Sequence, residues 1–132
     1  MAQIPIGSAR QQELVVNDEV AIRFIGLEAA RVLSTPHLIM LLEMTCRNLL
    51  IDFLEPGHDS VGTIVEVRHL AATPIGMRVT ARAEIVAVEG RRVDFRVEAH
   101  DEREKVAEGA HQRFIVNVER FAARIQDKAG PA

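Results

Sequence analysis

The sequence has little of what disulfide-bonded, metal-binding or nucleic-acid-binding proteins need. It contains a single cysteine, Cys46, which excludes a disulfide within the chain and predicts a reduced, buried thiol. No Cys/His spacing typical of a metal site occurs, so we expect no bound metal. The 16 Lys and Arg residues are outnumbered by 19 Asp and Glu residues, and the mixed charges form no basic face. Nucleic acid is therefore not an expected partner.

Long apolar runs are missing as well. No run approaches the ~20 residues that a helix needs to cross a bilayer, so we expect no membrane partner. The N-terminus shows no charged segment followed by an apolar one, as a secretory signal would. These absences predict a soluble, cytoplasmic protein. A length of 132 residues suits one domain with one core, spanning 1–132.

A long apolar helix is the strongest pattern that is present. Ser34 and Thr35 each offer a hydroxyl that can cap a helix N-terminus, and Pro36 suits the first helical position. Apolar residues then recur at helical spacing over about five turns, as far as Phe53. Glu43 is the single carboxylate in this helix. Such a group is costly to bury unless it is paired or has chemistry to perform.

Strands follow the helix, because apolar and polar residues then alternate. The predicted strands cover 61–70, 79–87, 93–99 and 105–117. Residues 89–91 are short enough for a tight hairpin, and hence for an antiparallel pair. A short amphipathic helix is predicted over 118–128. Upstream of the long helix, residues up to about Gln12 show no pattern and only 13–16 is predicted to be extended.

One long apolar helix followed by antiparallel strands requires a curved sheet around it, since otherwise the far side of the helix would be exposed. This α+β arrangement is the hotdog fold: a long central helix wrapped by a curved antiparallel sheet, with a short C-terminal helix. Such a sheet leaves edge strands open, and pairing two copies edge to edge covers them. We therefore predict a homodimer or a larger assembly.

Three polar residues at a characteristic spacing carry a resemblance to a known family. Thr35 stands eight residues before Glu43, and His69 follows Glu43 by 26 residues within the segment 61–74. The hairpin at residues 88–92 matches the same family. Over about 35–121 the chain resembles the hotdog-fold acyl-CoA thioesterases, and within them the fluoroacetyl-CoA thioesterase-like group.

The resemblance implies a function and a set of site residues. Thr35, Glu43 and His69 would form the catalytic set, and Gly62 and Arg113 would belong to the substrate pocket. The expected reaction is hydrolysis of a small or medium acyl thioester to free acid and coenzyme A, with no cofactor besides the coenzyme A of the substrate.

The resemblance stops short of the namesake substrate. The aromatic lid residues that suit that group to a small fluorinated acyl group have no equivalent around residues 26–31. The resemblance therefore does not extend to fluoroacetyl specificity.

Thioester chemistry asks for similar residues on its own grounds. Hydrolysis needs a nucleophile or activated water, a group that moves the proton, and donors for the oxyanion. Glu43 can be base or nucleophile, His69 can carry the proton, and the first N–H groups of the helix can polarise the carbonyl. Each residue also has a structural explanation: Thr35 as a helix cap, Glu43 as an acid satisfied by a backbone or Arg partner, and His69 as a core residue.

Helix geometry separates two of these residues. Eight residues at about 1.5 Å each put Thr35 about 12 Å from Glu43 along a regular helix. Three explanations stay open: the chain turns before the helix begins, the substrate spans both residues, or a partner subunit supplies one of them.

Two other functions compete with hydrolysis. A hotdog hydratase or dehydratase would add or remove water across an acyl-CoA double bond, but its usual Asp and His, about five residues apart, are not found here. A non-catalytic acyl-CoA or acid-binding protein would keep the fold and the pocket. The sequence favours hydrolysis without excluding a binder.

Overall fold

A curved five-stranded antiparallel sheet packs against one long helix in the computed structural model, which describes residues 3–131. The strand order is β1-β3-β4-β5-β2, and every neighbouring pair is antiparallel. The predicted hotdog fold is confirmed. The elements are β1 (Ala9–Val15), a short 3-10 turn (Glu28–Ala30), α1 (Thr35–Ile51), β2 (His58–His69), β3 (Arg78–Glu89), β4 (Arg92–His100), β5 (Lys105–Asn117) and α2 (Val118–Ala129).

The start of α1 is set by Ser34. Its Oγ accepts a hydrogen bond from the His37 N–H at 3.3 Å, which satisfies one of the unpaired donors of the first turn. Pro36 follows in that turn, where its missing N–H costs nothing. Thr35 is therefore the first residue of the helix, and its hydroxyl is not needed as the cap.

Several predicted boundaries are wrong, and β2 begins at His58 rather than at residue 61. The helix ends at Ile51 rather than near Phe53, because the Phe53 N–H turns back to the Leu50 carbonyl at 3.0 Å. The first strand begins at Ala9, although the residues up to about Gln12 carry no apolar pattern. Since β1 is an edge strand whose side chains are mostly exposed, it needs no regular alternation to pair with β3.

The core lies between α1 and the concave face of the sheet. Cys46 is fully buried in it as a free thiol, and burial raises the pKa of that thiol to about 12. Within the described residues, no helix is long and apolar enough to cross a membrane. The largest fully buried apolar side chains are Phe95, Leu33, Leu38, Leu50, Ile85, Val16, Val79, Val93, Val97 and Val106.

The β2 side of the molecule is open. Within residues 3–131, β2 is the last strand of the sheet and has one edge without a neighbour, and its apolar residues Ile64 and Val65 are 45% and 43% exposed. On α1, Met40 and Met44 are 60% and 41% exposed. An uncovered strand edge with exposed apolar side chains is typical of a surface that meets another chain.

An ion pair connects α1 to the start of β2. Arg47 donates to both carboxylate oxygens of Asp59, from Nη2 at 2.6 Å and from Nε at 3.1 Å. Both side chains are about a third exposed. The hydrogen bond from Arg47 holds the pKa of Asp59 below its ordinary value.

We expect Asp59→Asn to lower the free energy of unfolding by roughly 1 kcal/mol near neutral pH, because it removes an ion pair with two-point geometry. A lowered pKa in the folded state stabilises above the unfolded carboxyl's pKa of about 3.9, and this stabilisation is lost as the pH falls through the folded value. Urea unfolding of wild type and variant should therefore differ at neutral pH and converge in acid.

Asp52→Asn provides the matched control. Asp52 pairs with Arg10 at 3.8 Å and its side chain is 67% exposed, so its removal should leave the stability almost unchanged. Equal losses in the two variants would mean that the pair between Arg47 and Asp59 does not stabilise the fold.

Candidate active site

The N-terminus of α1 meets the end of β2 at a contact between Thr35 and His69. Thr35 Oγ1 lies 2.8 Å from His69 Nδ1. Burial lowers the pKa of His69, and its interaction with the Ala71 backbone opposes that shift. Nε2 of the same ring is buried and finds no hydrogen-bond partner of acceptable geometry within residues 3–131. A neutral imidazole of this kind can accept or donate a proton.

An open groove of about 370 Å³ lies beside this pair. Apart from the two polar residues, its lining is apolar. Phe24 forms part of it and is 84% exposed, so its ring stands at the entrance to the groove with no covering group among the described residues. The lining residues are Ile22, Phe24, Val32, Leu33, Thr35, His69, Leu70, Ala71 and Ala72.

Glu43 lies on the same helix and has different neighbours. Its Oε2 is 3.4 Å from Nη1 of Arg113 and 4.0 Å from Nε2 of His111, both of which are buried on β5. The Glu43 side chain is 38% exposed. The carboxylate is thus neither bare nor fully buried, because this face of α1 points toward the open side of the sheet.

Gly62 makes room for this carboxylate. A Cβ at Gly62 would lie 2.4 Å from Glu43 Oε2, closer than real Cβ contacts, and 3.1 Å from Cε1 of His111, tighter than most of them. The register between β2 and β5 shifts between Gly62 and Ile64, so β2 is irregular at this point. The absence of a side chain at residue 62 therefore sets the position of Glu43.

Arg113 is fixed mainly by β2. Its Nε donates to Ser60 Oγ at 2.7 Å, and its Nη2 donates to the Ser60 carbonyl at 2.8 Å. Burial lowers the pKa of Arg113, and the nearby Glu43 carboxylate acts in the opposite direction. Sequence reasoning missed Ser60 completely. Only its in-phase spacing from Gly62 on a predicted strand could have indicated it, and the predicted strand began at residue 61.

The site residues therefore form two groups. Thr35 and His69 form one, and Glu43, Gly62 and Arg113 form the other. Because Thr35 and Glu43 both belong to the regular helix α1, eight residues still separate them by about 12 Å. The helix begins at Thr35, which excludes a turn of the chain between the two. A spanning substrate and a contribution from a partner subunit are the explanations that stay open.

A larger groove, of about 560 Å³, lies elsewhere, on the face of β2, β4 and β5 turned away from α1. Charged side chains of both signs line it, and several pair with one another, as Lys105 does with Glu108 at 2.7 Å. It contains none of the site residues. No group of three or more His, Cys, Asp or Glu side chains in the described part of the chain is arranged to hold a metal ion.

Comparison with known proteins identifies the family. A family model described as the fluoroacetyl-CoA-specific thioesterase FlK matches residues 15–119. The chain belongs to this family. It is 41% identical over 101 residues to the fluoroacetyl-CoA thioesterase of Streptantibioticus cattleyicolor, covering 76% of this chain and 73% of that protein. The predicted family is confirmed, and so is the predicted class of thioester hydrolase.

Solved structures of FlK and of a thioesterase superfamily member have the same fold as this chain. The fluoroacetyl-CoA thioesterase FlK superimposes with a TM-score of 0.87 at 33% identity, covering 98% of this chain and 99% of that one. A Phe-to-Ala mutant of FlK, solved in complex with fluoroacetate and CoA, gives 0.82 at 35% identity over 89% and 99%. A Thermus thermophilus protein described as a thioesterase superfamily member gives 0.86 at 32% identity over 95% and 93%.

We expect Gly62→Ala to displace the Glu43 carboxylate from Arg113 while the fold survives. The atom that a new Cβ would meet is the far end of a flexible side chain, which can swing away toward solvent. A crystal structure of the variant should show a longer distance from Glu43 Oε2 to Arg113 Nη1, with a melting temperature close to that of the wild type.

Gly109→Ala is the contrasting control. A Cβ there would lie 2.0 Å from the Glu66 backbone carbonyl oxygen, and strand β2 cannot move aside cheaply. This variant should lose far more stability than Gly62→Ala. If Gly62→Ala retained the native distance between Glu43 and Arg113, the glycine would have no part in placing the carboxylate.

Proposed function

We propose that this protein is an acyl-CoA thioesterase that hydrolyses a small or medium acyl thioester to the free acid and coenzyme A. The observation that carries the proposal is the contact between Thr35 and His69 at the mouth of an apolar groove, in a chain that belongs to the FlK family. The apolar lining of the groove suits an acyl chain. Thr35 and His69 line the same groove, so both can contact the thioester carbonyl of an acyl group bound there.

The proposed roles follow from the chemistry of the groups. Hydrolysis adds the oxygen of water to the acyl carbon, breaks the carbon–sulfur bond and returns a proton to the departing thiolate. Glu43 acts as the base for water or as the nucleophile, and His69 carries the proton to sulfur. Thr35 orients His69, and its backbone N–H at the start of α1 stabilises the oxyanion, since Pro36 has no N–H and the His37 N–H donates to the Ser34 cap. We further propose that no metal or bound cofactor takes part, because these groups supply every function that the reaction needs.

We also propose that the active protein is a homodimer in which each site combines residues of both subunits. The free edge of β2 and the exposed Met40 and Met44 offer a surface for a second copy. Thr35 and Glu43 cannot meet within one helix, so a partner's Glu43 facing this chain's Thr35 and His69 would complete the site. Arg113 keeps that carboxylate in place from within its own subunit.

The buried, free thiol of Cys46 supports a reducing compartment, and we propose the cytoplasm.

The acyl group is proposed to be small or medium in size. The segment upstream of α1 carries Phe24 as its aromatic residue, while residues 26–31 provide no aromatic side chain to close the groove over a fluoroacetyl group.

We expect wild type to release thiol from a panel of straight-chain acyl-CoAs and Glu43→Gln to release none. The amide keeps the volume of the side chain and part of its hydrogen bonding, but it cannot act as base or nucleophile. Thiol release with a colorimetric reagent and a melting curve for each protein provide the two measurements. A folded Glu43→Gln protein with near-wild-type turnover would exclude a catalytic role for Glu43.

The same panel separates the competing functions. A hydratase acting on an enoyl-CoA would release no thiol and would remove the enoyl absorbance. A binding protein would change neither quantity, and only its affinity for acyl-CoA would be measurable. Either result from the wild-type protein would contradict the proposed hydrolysis.

We expect His69→Ala to lower kcat by about 10²–10⁴-fold with little change in KM, because a proton-transfer group contributes mainly in the transition state. The burial that lowers the pKa of His69 places the protonation step below the ordinary value of about 6.5. His69 has to be neutral to take up the proton that it then passes to sulfur, so wild-type activity should persist at that pH and fall as the solution becomes more acidic.

The inflection should be missing from the pH profile of His69→Ala. His100→Ala is the matched control, since His100 is exposed at the end of β4 and should leave both rate and profile unchanged. If activity still falls at acidic pH in His69→Ala, the ionisation behind that fall belongs to another group.

We expect sedimentation to show a dimer at micromolar concentration, because a strand edge with exposed apolar side chains is unfavourable in water. Replacing Val65 with Lys should weaken it, since that side chain lies on the open strand and is 43% exposed. Val86→Lys, on the interior strand β3, is the control and should leave the dimer intact. A stable wild-type monomer would contradict the shared site.

A further inference from the structure

His111 is a buried histidine for which the proposed reaction has no direct use. Only 4% of the residue is exposed, and its ring lies between β2, the Glu43 carboxylate and the Phe95 ring, whose centroid is 6.0 Å away. Both ring nitrogens have partners. A buried imidazole with two defined partners has its tautomer and orientation determined by those partners.

The two partners require opposite roles of the two nitrogens. Nδ1 is 2.9 Å from the Ile64 carbonyl oxygen, which can only accept, so Nδ1 carries the hydrogen. Nε2 is 3.2 Å from Nη1 of Arg113, which can only donate, so Nε2 presents its lone pair. The ring is therefore neutral. A protonated ring would direct an N–H at the guanidinium and lose that hydrogen bond.

Arg113 depends on this lone pair. Ser60 occupies the guanidinium edge formed by Nε and Nη2, and this leaves Nη1 to face Glu43. Nη1 is shared between His111 at 3.2 Å and Glu43 at 3.4 Å. The His111 ring thus determines where Nη1 of Arg113 lies relative to the Glu43 carboxylate.

His111 also connects this donor to the irregular part of β2. The register against β5 shifts between Gly62 and Ile64, whose carbonyl His111 binds. The Cε1 atom of the ring lies 3.1 Å from the Cβ position of residue 62, so ring and carboxylate occupy the same small space.

The electrostatic surroundings keep the ring uncharged. Burial lowers the pKa of His111, and the positive charge of Arg113 on the same strand acts in the same direction. Glu43 on α1 opposes them, and the hydrogen bond to the Ile64 backbone does so as well.

We propose that His111 is a positioning residue of the hydrolytic site: its neutral ring, anchored to the Ile64 carbonyl, accepts a hydrogen bond from Arg113 and holds the guanidinium against Glu43. The inference rests on the proposed function, because it assigns to Glu43 the work that this positioning serves. His111 itself is not expected to touch the substrate.

Two substitutions separate the two hydrogen bonds. In His111→Gln the side-chain oxygen can stand near the place of Nε2 and accept from Arg113, while the donor to Ile64 is lost. In His111→Asn the side-chain nitrogen can stand near Nδ1 and donate to Ile64, while the acceptor for Arg113 is lost. His100→Asn, at the exposed end of β4, controls for the general effect of the change.

We expect His111→Asn to lower kcat by about tenfold or more with KM within about twofold of wild type, because the loss falls on the orientation of a catalytic group. His111→Gln should retain most of the rate even if its melting temperature is lower. Loss of rate that follows the melting temperature in both variants would reduce His111 to a structural residue, and a folded His111→Asn protein with wild-type kcat would overturn the inference.

Nitrogen-15 NMR of the imidazole tests the inference without any substrate. At about pH 7.5 wild-type His111 should show a neutral Nδ1–H tautomer, and the Arg113 Nη1–H resonances should shift in His111→Asn but not in His111→Gln. A charged ring or an Nε2–H tautomer would overturn the inference. If wild type released no thiol from any acyl-CoA, the proposed function would fail, and these resonances would still decide whether His111 positions Arg113.

Discussion

The ion pair between Glu43 and Arg113 is the interaction on which the candidate site depends. The Arg113 side chain is 6% exposed, and a buried guanidinium is stable only if acceptors surround it and an opposite charge lies near. Ser60 and His111 supply the acceptors, and Glu43 supplies the charge. Gly62 leaves the space in which the carboxylate can approach. One constraint thus explains four neighbours that come from α1, β2 and β5.

A second constraint comes from the helix. Because α1 is regular from Thr35, about 12 Å of helix separate the polar pair at its N-terminus from the carboxylate in its middle. The open side of the molecule lies along the same region, where β2 lacks a neighbour and methionines of α1 face outward. In the proposed dimer, the second copy covers this surface and also completes the site.

The fold was largely predictable from the sequence, and the site only in part. Alternation along β3 and β4 and the cap at Ser34 are local patterns, so those elements were found with small errors at their ends. The first strand was missed in part because an edge strand with exposed side chains needs no apolar pattern.

The site depends instead on contacts between residues distant in sequence. The spacing of Thr35, Glu43 and His69 suggested one cluster. The structure places Thr35 with His69, 34 positions apart, and Glu43 with Arg113. Ser60 has only its in-phase spacing from Gly62 as a signal in the sequence, because its role is defined by a side chain on another strand, 53 positions away.

The central claim is that each active site is shared between two subunits, and mixed dimers test it most directly. Thr35→Ala and Glu43→Gln subunits carrying different affinity tags would be co-expressed, and the heterodimer would be isolated through both tags. If the site is shared, one of the two sites in the heterodimer receives both substitutions and the other neither, so about half of the wild-type activity should return. A folded heterodimer as inactive as either parent variant would contradict the account and place the whole site within one chain.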